Sequence, residues 1–179
     1  MTKLNNDQDE IYDVVDKMDQ VVGQASRREI HQKNLLHRSI HILVFNFQNE
    51  VFLQKRSMAK DENPGLWDTS SAGHVDAGES YNDCAHRELW EELGIKAILK
   101  PLDKIDACQE TYQEHVQVYT CLTNDTIKIN LDEISEGKYS SLEILESEIE
   151  RTPEQFTSSF KLILKKYGAV LSMNTSNKL

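Results

Sequence analysis

The stretch GHVDAGESYNDCAHRELWEELGI, residues 73–95, decides how the rest of the chain is read. It carries six carboxylates, and three of them, Glu88, Glu91 and Glu92, stand at i, i+3 and i+4. In a helix, at about 100° per residue, those positions share one face. Ala85, Leu89 and Leu93, spaced by four, form an adjoining apolar stripe suited to docking on a sheet. YNDCAHRELWEEL therefore reads as a helix, and Gly94 stands where a C-terminal glycine stop is wanted. Like charges at this spacing repel by roughly a few tenths of a kcal/mol per pair. No Lys or Arg on that face is placed to relieve all three, so compensation must come from outside the helix. A divalent cation with hard oxygen ligands would provide it, and so would plain solvation of an acidic face; the three glutamates alone do not choose.

Upstream, IYDVVDKMDQVVG has two β-branched runs around a polar turn and reads as a hairpin closing at Gly23. SRREIHQKN reads as a short helix capped by Ser26. SIHILVFNFQNEVFLQKRS is the clearest strand pair, apolar on both faces of its first strand, which places that strand between two layers. SMAKDENPGLWDTSSAGH reads as a long loop, and loops of that length are usually functional.

Downstream, strand-like segments fall near 105–110, 114–122 and 127–129. A final helix follows, with Thr152 as cap, Pro153 in first position, Gln155 poised for a capping box and Gly168 as its stop. Phe156, Phe160, Leu164 and Tyr167 recur on one face of it. The order of strands, helix, strands, helix, without internal repeat, implies an α/β domain with helices packed on a mixed sheet. Residues 10–171 are expected to form one domain, with flexible polar ends at 1–9 and 172–179.

The formal charge of −10, from 20 Lys and Arg against 30 Asp and Glu, argues against general affinity for nucleic acid or anionic membranes. Three cysteines without a CxxC pair fit a reduced compartment, and no apolar run is long enough to span a bilayer. A cytoplasmic location is the simplest expectation. Oligomeric state stays open, a homodimer included. Trp67 reads equally as a stacking surface or a loop anchor, and Trp90 as a packing residue.

Gly73, Glu79 five residues on, Arg87-Glu88-Leu89 after seven more, then Glu91-Glu92 and Gly94-Ile95, each after one residue, match without a break the signature of the Nudix hydrolases. The resemblance implies a Nudix-type α/β/α sandwich, here with an added N-terminal hairpin. It implies Glu88, Glu91, Glu92 and the Gly73 carbonyl as ligands for Mg²⁺ or Mn²⁺, and Glu79–Arg87 as a structural ion pair. The implied reaction is hydrolysis of a diphosphate linkage in a small organic or nucleoside diphosphate. For the general base it nominates Glu91 first, then Glu133 or Glu136 from LDEISEGKY. Arg56 and Lys60, at a strand end and in the long loop, are candidate phosphate contacts.

Outside the signature, REIH, LLHRSIHILVFN and VFLQKRSMAKDENPGLWDTSSAGHVDAGES resemble the type 1 isopentenyl diphosphate isomerases and isomerase-like Nudix proteins. His31, His37 and His74 fall where that branch has metal-binding histidines, although each could equally serve as a carbonyl hydrogen-bond partner. The isomerase cysteine is replaced by Ala72, so the group that handles the carbon-bound proton is missing. Its later glutamates have only Glu110, Glu114 and His115 in ETYQEHVQVY as counterparts, with the register undetermined. An intact Arg-Glu-x-x-Glu-Glu helix with no carbon acid favours hydrolysis over isomerisation. A non-catalytic module that binds a diphosphate ligand is the third reading. Loops 57–72 and 130–150 are expected to choose the leaving group.

Overall fold

The structure, a computed structural model, describes residues 10–176; of the ends expected to be flexible, 1–9 and 177–179 lie outside them, and 172–176 are helical. A seven-stranded mixed sheet forms the middle layer. Its longest strands, β3 (His37–Phe45) and β8 (Glu114–Leu122), run parallel, register His37 against Glu114, and are buried along almost their whole length. Continuous β-branched and aromatic runs suit this position, since both faces are covered.

The helix α2 (Tyr81–Leu93) covers one face, where Ala85, Leu89 and Leu93 pack on Ile40, Ile42 and Val44. On the other face α3 (Leu142–Arg151) and α4 (Ser158–Ser176) bury Leu145, Phe160, Ile163 and Leu164 on Leu43, Phe45, Val116 and Val118. Two apolar layers thus use alternate residues of the same strand. The α/β/α sandwich expected from the sequence is the architecture observed. Among the described residues no helix is long and apolar enough to cross a membrane.

One departure from the expected strand pair creates the site. β3 and β4 (Val51–Arg56) meet only at Phe45–Val51. Beyond that point β3 takes β6 (Ser71–His74) as partner, while β4 takes β5 (Trp67–Asp68) and β9 (Ile134–Ser140). The sheet therefore splits into a gap. The stretch expected to be a long loop, 57–74, supplies β5 and β6. β9, read as loop, forms because β4 offers an unpaired edge to ISEGKYS.

Other expectations also need correction. The strand expected at 105–110 is β7 (Lys100–Ile105), and 127–129 is not strand. α3 was not anticipated, although Ser141 caps it by accepting the Ile144 N–H. Pro153–Gln155 is a single 3-10 turn, and α4 begins later and passes through Gly168, because Leu171 beyond it is buried in the same core. The N-terminal hairpin, β1 (Ile11–Val15) with β2 (Val21–Ser26), and the short helix α1 (Arg27–Lys33) capped by Ser26 appear as expected. The hairpin lies on the signature loop: the Gly78 N–H donates to Asp13 Oδ2 at 2.9 Å.

Candidate active site

The three α2 glutamates share a helix face but not an environment. α2 is fixed at both ends, by Ser80 accepting the Asp83 N–H and by Gly94 in the left-handed region at φ 65°. Glu92 is buried and accepts from the Ala72 N–H at 3.1 Å and Gln54 Nε2 at 3.2 Å. Glu88 lies against Gly73, where any Cβ would collide with its carboxyl group. Glu91 stays half exposed. Burial pushes the Glu88 carboxyl up to about 8, with the charge of Glu92 adding to it, and burial likewise raises Glu92.

Arg87 accounts for part of this charge. Its Nε and Nη2 grip Glu79 at 2.9 and 2.8 Å, Nη1 meets Glu88 at 2.5 Å, and Nη2 also donates to the His74 carbonyl at 3.1 Å. The Glu79–Arg87 brace therefore ties the loop after β6 to α2 and turns Glu88 toward Gly73. A buried and a partly buried carboxylate beside a backbone that comes this close, because residue 73 has no side chain, are a donor set that fits a hard divalent cation.

On the other face of the sheet a second cluster forms. His31, His37 and His74 place one ring nitrogen each within 4.8 Å of the others. Glu114, whose register the sequence left undetermined, joins them at 3.0 Å from His74 Nε2 and 3.4 Å from His37 Nε2. It arrives there because β8 runs parallel to β3 with His37 opposite Glu114. His115, the neighbouring candidate, instead faces the carbonyl of Asp16 at 3.0 Å.

His37 Nδ1 sits 3.0 Å from the Leu35 carbonyl, which fixes a proton there. Its buried Nε2 makes no hydrogen bond and faces Glu114 Oε1 at 3.4 Å. Burial opposes charge on both His37 and Glu114, but their attraction outweighs it. The imidazole is raised, and Glu114, facing His74 and His37, is held well below the usual carboxylate range.

A cleft of about 740 Å³ runs through the sheet gap and joins the two clusters. Glu88, Glu91 and Glu92 line one end, His74 and Glu114 the other, with Ala72 and Gly73 between them. Arg56 and Lys60 both line it. Arg56 is positioned by the Glu62 carbonyl at 3.0 Å and by Asp68 at 3.7 Å, and Lys60 forms an ion pair with Glu133. Glu133 lines the cleft too.

Glu136 is not brought to the carboxylates. It lies opposite Lys55 on β9 and pairs with it at 3.6 Å, on the face that carries Leu53 and Trp67. A strand's two-residue period sends Gln54 to Glu92 and Lys55 the other way, and Glu136 follows Lys55. The sequence reading did not single out His41, Asp68 or Tyr112, which also line the cleft. Tyr112 and Gln113 are consecutive non-glycine residues at positive φ, 54° and 67°, a turn with no readable sequence signal.

A family model described as NUDIX domain matches residues 35–160. The chain is 35% identical over 159 residues to an isopentenyl-diphosphate Delta-isomerase of Pectobacterium atrosepticum, covering 83% of this chain and 86% of that protein. It is 33% identical over 140 residues to an uncharacterized Nudix hydrolase of Pseudomonas aeruginosa, covering 78% and 83%. The crystal structure of a Deinococcus radiodurans protein superposes with a TM-score of 0.72 at 28% identity, covering 79% of this chain and 90% of that one.

Proposed function

Because the chain belongs to the NUDIX domain family, in a branch whose relatives include both hydrolases and isopentenyl-diphosphate isomerases, we propose that it is a metal-dependent hydrolase of a small diphosphate compound. The observation that carries the reading is the buried Glu92 beside the partly buried Glu88, at the end of a cleft in which Ala72 offers no proton-transfer group. Mg²⁺ or Mn²⁺ held by Glu88, Glu91, Glu92 and the Gly73 carbonyl would offset phosphate charge and acidify a water.

The protein's own groups do the rest. Arg56 and Lys60 bind the diphosphate, and substrate competes with Glu133 for Lys60. Glu91, half exposed at the cleft, takes the proton of the attacking water, and Glu133 is the second acceptor within the same cleft. Glu136 is not assigned a role. Replacement of Glu92 by Gln keeps its hydrogen-bonding size and removes its charge, so loss of Mg²⁺-dependent phosphate release in that variant tests the proposal.

A second reading, isomerisation of isopentenyl diphosphate, is favoured by one specific observation: Glu114 completes a cluster with His31, His37 and His74. Against it stands Ala72, which cannot protonate or deprotonate carbon. Deuterium incorporation into isopentenyl diphosphate from heavy water would establish the isomerase reading and displace the first.

A further inference from the structure

The N-terminal hairpin lies outside the residues that the family model matches, yet it reaches the histidine cluster. Tyr12 on β1 is 2% exposed and packs with Ala25 of β2 and Ile30 of α1 in a small core of its own. That core seats the Tyr12 ring on two of the histidines. The ring centroid lies 5.0 Å from that of His74, with the planes 29° apart, and 6.2 Å from that of His37 at 5°. A bridge between Tyr12 and Asp76 fixes β1 beside the chain that follows β6.

The phenol hydroxyl has a set direction. Tyr12 Oη stands 2.5 Å from Glu10 Oε2, and a carboxylate only accepts, so the single phenol proton goes to Glu10. Toward His74 Nδ1, 3.4 Å away, the same oxygen can then only accept, and the proton of that contact sits on Nδ1. His74 Nε2 is left facing Glu114 Oε1 at 3.0 Å. The other two rings are held in the same sense: His37 Nδ1 meets the Leu35 carbonyl at 3.0 Å, and His31 Nδ1 meets Glu62 Oε1 at 3.4 Å. Each of the three histidines thus has an oxygen at Nδ1. Histidines that ligate metals usually give their other ring N–H to such an acceptor, which fixes the tautomer and the orientation of the ring.

We propose that Glu10 and Tyr12 are positioning residues of the histidine cluster: they hold His74 with its proton on Nδ1 and its Nε2 turned inward to ligate a divalent cation. The added hairpin is then part of the site rather than a cover over it. Stacking alone would not choose a nitrogen, because a flipped imidazole lies as well on the phenol ring. The phenol oxygen chooses it, and Glu10 sets which way that oxygen acts. The inference holds whichever reaction the cleft performs, since it concerns the histidines and not the α2 glutamates.

A Zn²⁺ titration of the full chain labelled with ¹⁵N-histidine tests it, because Zn²⁺ suits imidazole and the ring nitrogens report which atom is ligated. The parent is expected to take Zn²⁺ at the cluster through His74 Nε2, with the proton kept on Nδ1. Tyr12→Phe keeps the ring and loses the oxygen, so binding read at His74 should weaken about tenfold, the lower end of the effect of removing such a partner. Glu10→Gln supplies a group that can donate as well as accept, which frees the phenol proton, and it should weaken binding in the same direction. A side chain that only packs would leave both the affinity and the ligating nitrogen unchanged in the two variants, and that result would overturn the proposal. Ligation of His74 through Nδ1, or no Zn²⁺ at the cluster of the parent, would overturn it as well. If Tyr12→Phe fails to fold, Glu10→Gln, at an exposed residue, carries the same expectation. Phosphate release plays no part in the readout, so failure of the hydrolase reading leaves these outcomes as they are.

Discussion

Gly73 and Glu88 approach across the junction of β6 and α2 so closely that no side chain fits between them. The glycine is there for proximity, since Gly73 is not among the glycines with positive φ. Gly73→Ala should therefore displace the Glu88 carboxylate. The expected outcome is a loss of about 1–3 kcal/mol in urea unfolding, the usual penalty of overpacking, together with a raised Mg²⁺ requirement. A variant with parental stability and metal dependence would show that the two residues need not touch.

The Glu79–Arg87 brace rests on a planar fork with two parallel bonds, and the same guanidinium reaches Glu88. Lysine cannot reproduce that geometry. Arg87→Lys should cost roughly 1.5–3 kcal/mol, the range for hydrogen bonds to charged groups, and Glu79→Gln less. Urea midpoints of the two variants and of their combination check this, because paired residues give a non-additive double mutant.

The histidine cluster and the carboxylate helix occupy opposite faces of the sheet, so their metal occupancies should separate. Glu114→Gln is expected to abolish binding of one divalent ion per chain and leave the other. Glu92→Gln should do the reverse. Metal content after dialysis against Mn²⁺, read for both variants, would show a single shared site if each substitution removed everything.

Asp19 supplies the pH dependence. It holds the turn of the N-terminal hairpin to Arg38 at 2.6 Å and to Lys104. Burial would raise its carboxyl, but Lys104 and Arg38 outweigh burial and hold it below its ordinary value near 3.8. A carboxyl depressed in the folded state contributes stability above the unfolded value and loses it as pH falls through the folded one. The stability gap between the parent and Asp19→Asn should be fully open near pH 6 and close on titration below about pH 3.8. Urea midpoints across that range measure it; a gap independent of pH would mean the carboxylate charge contributes nothing.

Much of the site is legible in the chain, and the limits have physical causes. Residues 81–93 show their helix through period and glycine stop, and the structure reproduces those bounds. The buried strands announce themselves because both faces are apolar. β9 does not, since ISEGKYS is mostly polar and becomes a strand only through the edge that β4 presents. The place of Glu114 depends on the parallel register of β3 and β8, strands with 68 residues between them, a pairing that no local pattern encodes. Glu136 and Glu133 lie three residues apart, and which of them reaches the cleft is set by strand pairing and by the loop before β9.

The central claim is that the α2 carboxylates run a hydrolysis. Its most direct measurement is phosphate release from a panel of diphosphate compounds with Mg²⁺, for the parent chain and for Glu92→Gln. The expected result is metal-dependent release by the parent and a loss on the order of 10²-fold or more in the variant, the scale of removing one group that stabilises developing charge. Equal rates in both, or no release by the parent alongside deuterium incorporation into isopentenyl diphosphate, would contradict it.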